Sequence, residues 1–300
     1  MSYSSTNMDL LTLPQHAGPI NDLSLRVDSH GVTDRGRARP ANEDQILVAE
    51  LTKRMRLHHS SLSQPDHVYG ADSAHLFIVA DGMGGHRGGK EASAMAVQLV
   101  EEFVVNALQW FFHLRGPEGE HLLEQFQTAL QQADTEIYER AMRHPELWGM
   151  GTTLTLAFVL HTDLFVAHVG DSRAYLWRDG QLHQLTRDHT LVEEMVRQGM
   201  LSEEEAAHHR LRHVITNVLG GTEAGVRADV HRVELQPGDT VLLCSDGLTE
   251  MLSDDQIATL LASRLSARQA CEQLVSAAND AGGKDNISVI VARFQGRSQG

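Results

Sequence analysis

The sequence predicts an α+β domain built in layers. Three observations point there: two long segments of helical hydrophobic spacing follow one another, the apolar period then switches to that of paired strands, and two further capped helices precede a closing strand. With 300 residues, 41% hydrophobic and 22% charged, the chain can bury a sizeable core.

In order along the chain, residues 1–24 are polar and aperiodic and are expected to form a flexible tail, with the folded domain over 25–295. "FIVADGMGG" is an apolar strand that ends on Asp81. Before it, Leu51 to Ala74 is a polar insertion expected as a loop or extended hairpin; its paired His58 and His59 lack a third ligand and read as solvated surface. Lys90 to Leu114 carries apolar residues at 92, 95, 99, 103, 107 and 111, one face of a helix, and Leu122 to Met142 repeats the pattern. "TLTLAFVL" and "LFVAHVG", joined by His161, Thr162 and Asp163, read as a hairpin. Residues 188–214 form a small helical lobe, with a capping box of Ser202 and Glu205; Arg210 and Arg212 at its basic end are either plain surface or a contact for an acidic or phosphorylated partner. The strand "VLLCSDG" follows. Two helices announced by Ser253 with Gln256 and Ser266 with Gln269 come next, and "NISVIVARF" closes the domain.

A net charge of −15 argues against a general nucleic-acid binder, which needs clustered Lys and Arg. No apolar run reaches the length of a membrane span, and "MSYSSTNMDL" lacks the basic and apolar regions of a signal peptide, so a cytoplasmic protein is expected. Cys244 and Cys271 form neither a disulfide framework nor a zinc motif, and Cys244 inside an apolar strand reads as a buried small residue rather than a nucleophile.

The chemistry gathers on carboxylates. Asp34, Glu43, Asp44, Asp81, Asp171, Asp246 and Asp285 stand at strand ends or tight turns beside Gly or Asn. Any one of them could simply stabilise its turn. Five such places in one chain predict instead a gathering of charge that cations must hold, and all-oxygen ligation selects hard ions, Mg²⁺ or Mn²⁺. Gly82 after Asp81 lets a backbone carbonyl approach the same ion. Two such ions would lower the pKa of a bridging water and screen an anionic substrate, best a phosphate ester, and Arg39 near Asp44 would bind its oxygens.

"TDRGRARPANED", "FIVADGMGGHRGG", "GTTLTLAF", "VAHVGDSRAYLWRDGQLHQLTRDHT", "GDTVLLCSDGLTEMLSDDQI" and "GGKDNISVIVARF" together resemble the protein phosphatase 2C family of metal-dependent Ser/Thr phosphatases, in its bacterial style, over roughly residues 25 to 295. The resemblance implies a four-layer αββα sandwich of two antiparallel sheets flanked by helices. It implies that Asp81 bridges two metals, that the Gly82 carbonyl, Asp246 and Asp285 ligate them, that Glu43 and Asp44 hold metal waters, that Arg39 binds phosphate and that Asp171 ligates a weaker third metal. Catalysis then falls to Arg39, Asp44 and Asp81, and residues 188–214 become the flap beside the site. The expected activity is attack of a metal-bridging hydroxide on phosphoserine and phosphothreonine in proteins, by a monomer, opposing a Ser/Thr kinase. The alternatives are a metal-binding pseudophosphatase that serves as a docking module, or a phosphatase of small phosphate esters. One departure concerns the leaving group: where many members carry His after the "DG" pair, this chain has Met83, leaving His86 or a metal-held water as proton donor. Pro40 after Arg39 is a second departure.

Overall fold

The computed structural model describes residues 25–52, 73–84, 88–107 and 118–296. In chain order the strands and helices are β1 (Leu25–Asp34), β2 (Gln45–Thr52), β3 (Ser73–Ala80), β4 (Gly82–Met83), α1 (Gly88–Ala107), α2 (Glu118–Arg143), β5 (Gly151–Thr152), β6 (Leu154–Leu160), β7 (Asp163–Val169), β8 (Arg173–Arg178), β9 (Gln181–Gln184), α3 (Leu191–Arg197), α4 (Glu203–Ala207), β10 (Leu219–Gly220), β11 (Asp229–Glu234), β12 (Thr240–Cys244), α5 (Asp246–Thr249), α6 (Asp254–Leu261), α7 (Ala267–Asp280) and β13 (Ile287–Gly296). The tail at 1–24, most of the insertion, His58, His59 and His86 lie outside the described residues.

Period-two alternation decides the layers. In β3, Leu76, Ile78 and Ala80 face one core while Phe77 and Val79 face another. In β12, Val241 and Leu243 meet Phe77 and Val79, whereas Leu242 and Cys244 turn the opposite way. Two five-stranded sheets result, ordered β1-β13-β12-β8-β9 and β11-β7-β6-β3-β2, with every pairing antiparallel. Their facing sides share the core of Phe77, Val166, Ile290 and Phe294. The outer face of the β3 sheet packs on α1 and α2 through Val100, Phe126 and Ile137. The outer face of the β12 sheet packs on the C-terminal helices through Leu248, Ile257 and Leu274. The order helix, sheet, sheet, helix is therefore the four-layer αββα sandwich expected. Phe126 touches both Phe103 and Phe158, joining α1, α2 and β6. Burying a side chain of this size is worth about 1.5–3 kcal/mol.

The local signals behave as their chemistry requires. All three capping boxes form, with Ser202, Ser253 and Ser266 accepting from the N3 backbone N–H. The β6–β7 hairpin is tighter than expected: Leu160 pairs with Asp163, so only His161 and Thr162 make the turn, and His161 takes φ 58°. Helix α1 begins at Gly88, two residues before the expected start. Among the described residues no helix is long and apolar enough to cross a membrane.

Register places the strand ends. Gln45 opposes Ala80, Leu154 opposes Val169, Cys244 opposes both Arg173 and Val289, and Asp34 opposes Ile287. One rim of the sandwich thus collects the segments at 35–44, 81–84, 170–172, 245–247 and 284–286.

Candidate functional site

At that rim lies a cleft of about 520 Å³ lined by Arg39, Glu43, Asp81, Gly82, Asp171, Asp246 and Asp285. Five of the seven carboxylates therefore converge, while Asp44 lies just below the floor and Asp34 stays outside. Asp44 is 2% exposed, and its Oδ2 accepts from Ser245 Oγ at 2.8 Å and Ser288 Oγ at 2.7 Å. Asp34 is the one member of the gathered set that stays a turn residue: its Oδ1 accepts from Gly36 N–H at 2.8 Å and Asn279 Nδ2 at 3.0 Å.

Asp81 and the segment of Glu43 are held by neighbours to which the sequence alone assigns no role. Thr153 brackets Asp81, its Oγ1 accepting from the Asp81 N–H at 3.0 Å and its N–H donating to the Asp81 carbonyl at 2.9 Å. Thr152 Oγ1 donates to that carbonyl at 2.8 Å. Asn286 clamps the segment bearing Arg39 and Glu43: its Nδ2 donates to the Arg35 and Ala41 carbonyls, and its Oδ1 accepts from the Glu43 N–H, all at 2.9 Å. Both glycines after the strand-ending aspartates are needed for close approach of backbone. A Cβ at Gly82 would fall 2.1 Å from the Gly89 carbonyl oxygen, and one at Gly247 would fall 1.9 Å from that of Asn286.

The electrostatics is that of too many carboxylates in too little water. Burial, then the charge of Asp44, drives the Asp81 carboxyl well above the usual range. Burial, then Asp171 and Glu250, does the same to Asp246. Burial raises Asp171 to about 7, with Asp188 adding to it, and raises Asp44 to about 6 against the lowering hydrogen bonds from Ser288 and Ser245. Asp44 Oδ1 and Asp246 Oδ1 are buried without any hydrogen-bond partner. Groups that would rather keep protons than face one another, with orphaned oxygens between them, fit hard divalent cations. Arg39 is the cation on hand; its Nη2 donates to Asp285 Oδ2 at 2.5 Å, and that bond raises its pKa.

Two further residues join that the sequence did not mark as ligands, although Glu250 stands within "GDTVLLCSDGLTEMLSDDQI". His213 from the flap and Glu250 from the end of α5 bond at 2.6 Å, and with Asp246 they offer ligand atoms all within 4.8 Å of one another. In the sequence His213 stood among surface-like "HHRLRH", with nothing to aim it at the rim. The flap forms two short helices, as expected, and a second groove of about 410 Å³ runs beneath it, lined by Arg212, Val192, Glu193 and Glu203 and opening on Asp171 and Asp246. Cys244 is fully buried, which pushes its thiol up to about 12 and leaves no nucleophile there.

The model of the family described as protein phosphatase 2C matches residues 54–288. The serine/threonine phosphatase stp of Listeria monocytogenes serotype 4b is 36% identical over 86% of this chain and 92% of its own length. The crystal structure of the serine/threonine phosphatase PstP/Ppp of Mycobacterium tuberculosis superposes with a TM-score of 0.72 at 32% identity, covering 90% of this chain and 99% of that one. A structure of the PstP catalytic domain in complex with two manganese ions gives 0.70 at 31% identity, covering 91% and 100%.

Proposed function

The chain belongs to the protein phosphatase 2C family, and on that premise we propose that Arg39, Asp44 and Asp81 do its catalytic work at a metal centre held by Asp81, the Gly82 carbonyl, Asp246 and Asp285. It is a metal-dependent protein Ser/Thr phosphatase that uses Mn²⁺ or Mg²⁺ and acts on phosphorylated proteins. The observation that carries the assignment of residues is the pair of buried, partnerless oxygens, Asp44 Oδ1 and Asp246 Oδ1, at the rim where the other carboxylates meet.

When bound, divalent ions supply water acidic enough to ionise near neutral pH, and they screen the phosphoryl charge. The remaining tasks belong to the chain. The backbone of Asp81 is fixed at both its N–H and its carbonyl by Thr153, which places its carboxylate at the rim. Glu43 at the wall and Asp44 below the floor orient water, and Asp44 is itself held by two serine hydroxyls. An incoming phosphate ester competes with Asp285 for the Arg39 fork, which suits planar, bidentate recognition of its oxygens. Met83 has no proton to give to the departing serine or threonine oxygen. Asp171 would hold an accessory metal, and His213, Asp246 and Glu250 line the same cleft.

The groove beneath the flap supports a polypeptide substrate over a small ester, because it continues the cleft past the phosphate position. The complete carboxylate set removes the ground for a docking module without activity. We place the protein in the cytoplasm, where two buried free thiols suit a reducing compartment, and we read it as a monomeric domain over 25–295 whose substrates are made by a Ser/Thr kinase. Hydrolysis of p-nitrophenyl phosphate and of a phosphothreonine peptide, each with Mn²⁺, with Mg²⁺ and with chelator, tests the reading. Both should turn over with either metal and stop in chelator; full turnover after dialysis against chelator overturns the metal centre.

A further inference from the structure

The two sides of the Asp171 turn are bonded to consecutive residues at the entry of the flap. On one side, Arg173 makes a forked pair with Asp188, Nε to Oδ1 at 2.9 Å and Nη2 to Oδ2 at 2.7 Å. On the other, Gly170 and His189 bond twice: the His189 N–H donates to the Gly170 carbonyl at 2.7 Å, and the Gly170 N–H donates to His189 Nδ1 at 3.1 Å. His189 also reaches the flap exit. Its carbonyl accepts from the Thr216 N–H at 2.8 Å, and its Nδ1 accepts from Asn217 Nδ2 at 2.9 Å. Asn217 is in turn fixed to Arg227 through both amide atoms.

One imidazole therefore ties the Asp171 turn to both ends of the flap. Its tautomer follows from its partners. Nε2 lies 3.4 Å from Asp229 Oδ2, an acceptor only, so the ring proton sits on Nε2 and the lone pair on Nδ1 serves Gly170 and Asn217. The side chain is 14% exposed and its ring lies 4.9 Å from that of His168, which is held between Thr155 and the Arg187 carbonyl. Packing alone would hold an apolar ring in such a place. What an apolar ring could not do is accept from the residue that precedes Asp171.

We propose that His189 is a positioning residue that couples the placement of the flap to that of Asp171, so that the groove for the peptide and the accessory metal ligand are set together. This rests on the phosphatase reading above, since it gives Asp171 the role proposed there. Loss of the Nδ1 acceptor removes the bonds from the Gly170 N–H and Asn217 and loosens the turn against the flap, while the backbone bond of His189 to Gly170 and the Asp188–Arg173 pair keep the flap entry attached.

The test compares His189→Ala with His189→Asn, whose Oδ1 takes the place of Nδ1 as an acceptor. In metal-free protein, hydrogen exchange of amides in 190–214 should speed up on the order of tenfold in His189→Ala, the scale of one lost hydrogen bond, with the sheet strands unchanged. Calorimetric Mn²⁺ titration should show the weakest site weakened on the order of tenfold and the tight sites unaltered. His189→Asn should restore most of both. Should His189→Ala fail to fold, Asp229→Ala, which removes only the partner fixing the tautomer, must show the same pattern at smaller size. Unchanged flap exchange, equal acceleration in flap and strands, or an Asn variant as impaired as Ala overturns the coupling. Wild-type protein without metal-dependent turnover would overturn the phosphatase reading instead, and the exchange result would remain interpretable by itself.

Discussion

At Arg39 the same guanidinium has two anions to serve. Its place in the sequence suggests a phosphate clamp, and the fold also puts its Nη2 2.5 Å from Oδ2 of Asp285, a proposed ligand. Its side chain is 54% exposed, so it is free to exchange Asp285 for a phosphoryl group. Arg39→Ala should therefore raise KM for a phosphopeptide roughly ten- to hundredfold, the equivalent of a charge-assisted bond of about 1.5–3 kcal/mol. Metal affinity should hold or rise, because the arginine that competes for Asp285 is gone. Steady-state kinetics beside Mn²⁺ calorimetry checks both halves: an unaltered KM, or weakened Mn²⁺ binding, contradicts the exchange.

Among the elements, the smallest sheet bears directly on the site. β10, β5 and β4 pair in that order over two residues each, and β4 begins with Gly82. So short a sheet cannot hold itself. Its outer strand is anchored from α2 by Asp134, a 2% exposed carboxylate that accepts from the N–H groups of Gly220 and Gly225 at 2.7 Å and of Val226 at 3.1 Å. Asp134→Ala leaves three backbone donors without that acceptor, and it should cost about 3 kcal/mol or more in urea unfolding. The damage should also reach the rim, seen as weaker Mn²⁺ binding at sites some way from the substitution. A loss below about 0.5 kcal/mol, the size of a surface change, would mean that the 219–226 loop holds itself.

On the scale of the whole molecule, stability against acid depends on a histidine buried in β7, bonded to Thr155 and to the Arg187 carbonyl before the flap. His168 is fully buried, and burial, with His189 nearby, lowers its pKa to about 3. Below the ordinary value of about 6.5 the unfolded chain takes up a proton that the folded chain refuses. The contribution of His168 is thus whole above pH 6.5 and declines as pH falls towards 3, at about 1.4 kcal/mol per unit. In metal-free protein the raised carboxyls Asp44 and Asp171 act with the opposite sign, so a difference between proteins isolates the histidine. His168→Gln should be less stable than wild type at pH 7, and the gap should narrow by about 2 kcal/mol by pH 5. Urea unfolding at the two pH values checks this, and a constant gap would show that His168 takes up its proton as readily in the fold as in the unfolded chain.

Much of this protein is written locally. The alternation in "FIVADG" and "VLLCSDG", the capping boxes at Ser202, Ser253 and Ser266, and the Asp-Gly strand ends are short-range signals, and each needs only neighbours in the chain to state its meaning. Six motifs in order were enough for the family, the layered fold and the kind of metal. What chain neighbours cannot state is which turns share a rim: Asp34 and Asp285 look alike in sequence, and only the pairing of β1 with β13 beside Asn279 leaves the first in a turn and turns the second into the cleft. Asp44 below the floor, Arg39 against Asp285, His213 across from Glu250 and His189 between the flap and the Asp171 turn depend on contacts between residues 19 to 246 positions apart. Such contacts have no local propensity, because their energy comes from burial and from partners brought close only when both sheets and the flap have docked.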